Sequence, residues 1–157
     1  MKTRGFIGSL AVVLACLMWS TSASAAEKKT VTYENTIKKI MDDRCMACHG
    51  ADSPTIEAFK KDEPGFKKKQ KGPRMDTYEN LMVFVNGSDA GALMRRLDNG
   101  KHTKDGKPGN MYVNLADDDR ARAARFAEFN KWVGSWNLKK RKELTEAELK
   151  AVKAPKK

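Results

Sequence analysis

The chain has 157 residues, with 31 Lys and Arg against 20 Asp and Glu, a formal net charge of +11 and a sequence pI near 9.6. That length suits one domain of ordinary size and excludes a large multidomain enzyme. Apolar residues make up 40% and charged residues 32%, lean for a core but arranged in periodic runs, so the chain is not of the disordered class. The excess positive charge points to an acidic partner: nucleic acid, anionic lipid or an acidic protein face. Aromatic residues follow helical spacing instead of interleaving with the basic ones, which goes against stacking on nucleic acid.

Residues 1–25 read as an export signal. Lys2 and Arg4 form the positive start, Phe6 to Trp19 the apolar stretch, and Ala23-Ser24-Ala25 a small-residue cleavage site. Two alternatives stay open: an uncut membrane anchor, and lipoprotein processing at Cys16. Cleavage after Ala25 removes Cys16 and leaves Cys45 and Cys48 as the mature cysteines, with 29 Lys and Arg against 20 Asp and Glu, or +9.

The mature chain divides into a domain at 26–136 and a basic tail at 137–157. Thr32 is the candidate N-cap of a first helix, with Glu34 in its first turn. Tyr33, Ile37, Ile40, Met41 and Arg44 share a face by their spacing of three and four. From about 50 to 76, Gly50, Pro54, Pro64, Gly65, Gly72, Pro73 and the Lys67–Lys69 run predict a long loop. A helix from Asp76 to Val85 follows, then a short helix capped by Ser88 and carrying Leu93, Met94 and Leu97. A second loop covers 101–114. The longest helix is expected over 116–136, with Asp117, Asp118 and Asp119 at its start and Ala123, Phe126, Phe129, Val133 and Trp136 as its inner stripe. Thr145-Glu146-Ala147-Glu148 is a capping box for a short last helix. No repeat or strand pattern is visible, so the fold class is all-α.

Cys45-Met46-Ala47-Cys48-His49 is a CxxCH sequence. Two cysteines three apart share one face at a helix end, so both thiols reach the two vinyl groups on one haem edge, and the next residue offers an imidazole to the iron. A redox dithiol would need a βαβ context, which is missing. A zinc site would need a fourth ligand, and His102 is the only other histidine. A disulfide across this spacing is geometrically awkward. Haem c, one per chain and covalent, is the expected cofactor.

On these residues the chain from about 30 to 136 resembles the class I c-type cytochromes. The resemblance rests on Cys45, Cys48 and His49, on Met111 in the loop before the last long helix, and on the order of the helices. It implies an all-α domain wrapped around one haem, with His49 and Met111 on the iron. His102 and Met75 are competitors for the second position, while Met82 and Met94 read as packing residues. In that family a proline carbonyl holds the proximal histidine's other nitrogen. Gly72-Pro73 resembles that loop although it lies 24 residues beyond His49, and Pro54 is the rival. Tyr112, Trp132, Trp136, Arg95 or Arg96 are candidate donors to the haem carboxylates.

A haem ligated on both sides has no position for substrate, so the expected function is a one-electron carrier and not an enzyme. The alternatives are a fixed electron-transfer subunit of a larger complex and a haem protein with a site open to peroxide or gas. Expected partners are an acidic redox protein or a membrane respiratory complex, with peripheral membrane contact through the tail and no nucleic acid. The expected location is the periplasm. The tail holds 8 basic and 3 acidic residues, so +5 of the mature +9 is assigned to it, and it is expected to choose the partner.

Overall fold

The computed structural model describes residues 30–136 and 138–157. The export signal expected at 1–25 lies outside the described residues. Among them every regular element is a helix.

Thr32 starts the first helical segment. Its hydroxyl accepts from Asn35 N at 3.2 Å, and the Asn35 side chain accepts from Thr32 N at 3.0 Å. One wide turn, Tyr33–Ile37, runs into α1 (Lys38–Arg44), and Cys45 separates this from α2 (Met46–His49). Tyr33, Ile37, Ile40 and Met41 are buried, as the spacing requires.

The stretch 50–76 is not a plain loop. It holds α3 (Ile56–Lys61) and α4 (Glu63–Lys68). Thr55 caps the first by accepting from Ala58 N, and Asp62 caps the second by accepting from Gly65 N. Pro64 stands in the first turn of α4, where no backbone donor is needed. Phe59 and Phe66 stack between the two helices, with centroids 6.1 Å apart.

Then come α5 (Tyr78–Val85), capped by Thr77, and α6 (Ala92–Leu97). The N-cap of α6 is Gly91, at φ 75°, and not Ser88. A 3-10 turn, Tyr112–Leu115, leads to α7 (Asp119–Val133). This helix is shorter than the expected 116–136. Asp118 caps it by accepting from Ala121 N, and Gly134 ends it at φ 75°. Phe126, Phe129, Trp132 and Val133 form its buried stripe, whereas Ala123 faces solvent and Trp136 lies beyond the helix.

These faces meet in one core. Trp132, Phe129, Ile37 and Leu81 are fully buried there, and Tyr33 stands edge-on to Tyr78 at 5.3 Å. Truncating an aromatic ring of this kind to alanine costs about 3–5 kcal/mol.

The segment expected to be a separate tail packs onto the helical body. A 3-10 turn, Arg141–Glu143, precedes α8 (Glu146–Ala151), whose Thr145–Glu148 capping box is present. Residues 152–156 then cross the first helical turn and α7. Ala154 is fully buried, Pro155 O accepts from Tyr33 N and Trp132 Nε1 at 2.9 Å each, and Tyr78 Oη donates to Ala154 O. The first N–H groups of a helix have no partner within it, so the chain end supplies acceptors that the helix lacks. The division at 136 therefore does not mark the edge of the packed body.

Candidate haem site

Helix α2 is a single turn that holds Cys45 and Cys48 at one edge of a cavity of about 820 Å³. The cavity lies between α1, α6 and the 3-10 turn, with α3 and α4 as its outer wall. Its apolar lining includes Met41, Phe59, Phe84, Leu93, Leu115 and Phe129. That volume is within the range of about 300–1,000 Å³ typical of cofactor and ligand sites.

His49 is braced from several directions. Its Nδ1 donates to Pro73 O at 2.6 Å. Gly72 N donates to Cys48 O at 2.8 Å, and Met75 N donates to His49 O at 2.9 Å. Ser53 Oγ donates to Cys48 O at 2.9 Å, so the turn carrying the motif is tied to its following chain at several points. Pro73, not Pro54, faces the histidine; Pro54 O takes a backbone bond from Arg74 N instead. Gly72 is the residue that lets the ring approach the chain closely. A Cβ there would come within 2.8 Å of Nε2 and 2.7 Å of Nδ1, closer than non-bonded atoms pack. Burial lowers the His49 pKa, and the bond to the Pro73 carbonyl opposes that shift. Burial favours the neutral ring, and the bond to Pro73 O selects the tautomer with Nδ1 protonated and Nε2 available as a donor to metal.

Burial also pushes the Cys45 thiol up to about 11. The two cysteines form no disulfide. Among the described residues no group of three or more His, Cys, Asp or Glu is arranged to hold a metal ion, so the zinc reading has no geometric support.

Met111 lines the same cavity, from the loop leading to the 3-10 turn. Its N donates to Arg96 O at 2.9 Å, and Asn114 Nδ2 lies 3.6 Å from its sulfur. Met75 also lines the cavity but comes from the segment bonded to His49. His102 is not among the lining residues. It is exposed, bonds through Nδ1 to the buried carboxylate of Asp98 at 2.7 Å, and stands edge-on to Trp136. Met94 is fully buried packing and Met82 is partly buried against the core.

Tyr112, Trp132 and Trp136 are not among the residues that line the cavity. Tyr112 packs on Phe126, and the Trp132 indole N–H is taken by Pro155 O. Arg95 and Arg96 do line it. The sequence reading missed Phe59, Ile56 and Lys140, which line it as well. The cap signal at Thr55, which starts the helix carrying both, was the available clue to the first two.

The donor set fits haem c. There are two thiols on one edge, an imidazole held by a carbonyl, a glycine cradle under the ring, a thioether from a different segment, and an apolar cavity of sufficient volume. The comparisons agree. The family model described as PccH cytochrome c matches residues 32–155. The solved structure of monoheme cytochrome PccH from Geobacter sulfurreducens is similar, with 47% sequence identity over 81% of this chain and 99% of that one, and a TM-score of 0.75. Among curated proteins none matches. The matched region runs past 136 to 155, in keeping with the packing of the chain end. The chain belongs to the PccH cytochrome c family, as an all-α cytochrome with one covalently bound haem c.

Proposed function

We propose that the chain is an exported one-electron carrier in which His49 and Met111 hold the iron, Cys45 and Cys48 carry the haem, and Pro73 orients His49. One observation carries this reading: His49 and Met111, 62 positions apart, line one cavity with both motif cysteines. Bound haem supplies reversible one-electron chemistry at its iron. The chain's own residues do the rest. Pro73 O fixes the imidazole tautomer, and the apolar lining excludes water from the centre. A thioether is a soft ligand and favours the reduced metal, so Met111 raises the potential relative to a second histidine.

Met111 is preferred to Met75 because Met75 is tied to the backbone of His49 itself. Met111→Ala is expected to abolish the weak sulfur-to-iron band at the red end of the ferric spectrum, and Met75→Ala to leave it in place. Carbon monoxide added to the reduced protein is expected to leave the spectrum unchanged. Rapid binding at neutral pH would overturn the carrier reading in favour of an open site.

Export to the periplasm rests on the sequence of residues 1–25. No helix among the described residues is long and apolar enough to cross a membrane. The proposed partner is an acidic redox protein or a membrane respiratory complex. The mature +9 supports a docking rate that falls as ionic strength rises. The chain end is not a free docking arm in this reading, because Lys156 pairs with Glu79 and Lys139 with Glu148, at 2.7 Å each.

A further inference from the structure

Asp98 is the one buried acid among the described residues, with its side chain fully out of solvent. It stands at the C-cap of α6, the end of a helix at which the dipole disfavours negative charge. Its carboxylate accepts from Gly100 N and from His102 Nδ1, at 2.7 Å each. His102 is thus its one countercharge among the described residues, and that imidazole is 55% exposed.

The other charges around the pair are engaged elsewhere or turned to solvent. In the last turn of α6, Arg95 bonds Lys139 O and Arg96 bonds the Asn110 side chain. Lys101, Lys104, Asp105 and Lys107, in the same loop, are exposed. From the segment after α7 the imidazole meets Trp136, with centroids 5.0 Å apart. Glu148 of α8, which shares a small cavity with that indole, pairs with Lys139.

The pair stands at the root of the loop that carries Met111. Gly109 N donates to Asp98 O at 2.8 Å, and Met111 N donates to Arg96 O at 2.9 Å. Thr103 Oγ1 lies 3.0 Å from Gly100 O and 2.9 Å from Lys107 O, which joins the two arms of the loop. Asp98 therefore holds one arm with its carboxylate, through Gly100 and His102, and the other with its carbonyl, through Gly109. A buried carboxylate that loses its countercharge is strongly destabilised, and imidazoles lose their charge within about pH 5–8.

We propose that Asp98 and His102 are positioning residues for the methionine side, and that the charge on His102 sets how firmly residues 98–111 are held. With the imidazole protonated, the ion pair locks both arms. Once the proton leaves, the buried carboxylate keeps only neutral donors and the loop opens more readily. The ion pair exists only in the closed loop and only with the proton on, so closure is strongest at low pH and weakens as the imidazole titrates. The effect on the iron rests on the reading of Met111 as its ligand; the closure of the loop does not.

The test uses the reduced full-length holoprotein. Hydrogen exchange at the Gly109 and Met111 amides is followed by NMR between about pH 5.5 and 8, with each rate divided by the intrinsic rate at that pH. Protection is expected to fall roughly tenfold from the lower pH to the higher, as for a charge-assisted bond reduced to a neutral one. His102→Gln, which can donate but carries no charge, is expected to show the low protection at both ends. His102→Arg, cationic throughout, is expected to restore the high protection at both. Neither variant touches the core. A flat profile in the unsubstituted protein, or an equal slope in His102→Gln, would overturn the proposal. The sulfur-to-iron band of the ferric protein reads the ligand separately. Its survival in Met111→Ala would sink the ligand reading, while exchange at Gly109 still decides for or against the role of His102.

Discussion

The two sides of the cavity are built differently. On the histidine side, residues 72–75 return to the motif through three bonds within four residues: Gly72 N donates to Cys48 O, Pro73 O accepts from the His49 ring, and Met75 N donates to His49 O. On the methionine side, Met111 hangs from Arg96 O and Gly109 from Asp98 O, and most of 101–110 is exposed. Both sides use a glycine for close approach. Gly72 lies under the imidazole, and Gly109 lies against the carbonyls of Arg95 and Arg96. An imidazole needs a fixed tautomer and plane, which takes an external acceptor at a set position. A thioether has free torsions and no proton to place, so backbone tethering of its loop suffices.

The largest effect is expected from Gly72→Ala. The added Cβ meets a ring that cannot yield, because the ring is bonded to Pro73 and its backbone is held by Met75 N. Overpacking of this kind costs about 1–3 kcal/mol before any ligation is lost. Denaturant unfolding should show that loss, and the ferric spectrum should lose its low-spin character. Retention of both would break the claim that the histidine side is the rigid one.

The same substitution at Gly109 is expected to do less to the fold and more to one ligand. Its Cβ meets two carbonyls, but the exposed loop can lift away from the end of α6. The expected outcome is loss or weakening of the sulfur-to-iron band with a stability loss of about 1 kcal/mol. Absorption spectra and unfolding curves on the same preparation separate the two effects. Equal destabilisation in the two alanine variants would erase the contrast.

How each side could be read from the sequence follows the same division. CxxCH, the caps at Thr32 and Thr145 and the apolar faces of α1 and α5 are local chemistry, and the structure places them as the residues dictate. Pro73 was reachable only through resemblance, since a 24-residue gap carries no local signal of a bond to His49. The two helices within 50–76 were hidden because Pro64 and Gly65 read as breakers, yet both fit a first turn capped by Asp62. The chain end was misread for its charge. Its anchoring depends on backbone carbonyls at Ala154 and Pro155 and one small buried side chain, and composition shows none of these.

The brace on the histidine side continues into α5 through an acid pair, and this gives the smallest and most selective prediction. Arg74 N bonds Pro54 O, and the Arg74 guanidinium grips Asp76 with two bonds of 2.7 Å. Asn80 adds a third bond to the same carboxylate, at 2.8 Å. The Arg74 guanidinium, helped by Asn80, holds the Asp76 carboxyl at about 2, well below its ordinary 3.8. A carboxyl depressed in the folded state stabilises it fully above its unfolded pKa, and that contribution is lost as the pH falls through the folded one. The window is therefore about pH 4 to 2, and partial exposure limits the contribution to about 1 kcal/mol. Asp76→Asn should lower stability at neutral pH by that amount and flatten the stability profile across this window. Met111 ligation should be indifferent to the change, because no part of the Arg74–Asp76 pair reaches the methionine side. An equal acid slope in Asp76→Asn would assign the acid sensitivity to other carboxylates, such as Asp117, which the Arg44 guanidinium holds low beside the methionine loop. That result would move the acid-labile brace from the histidine side to the methionine side.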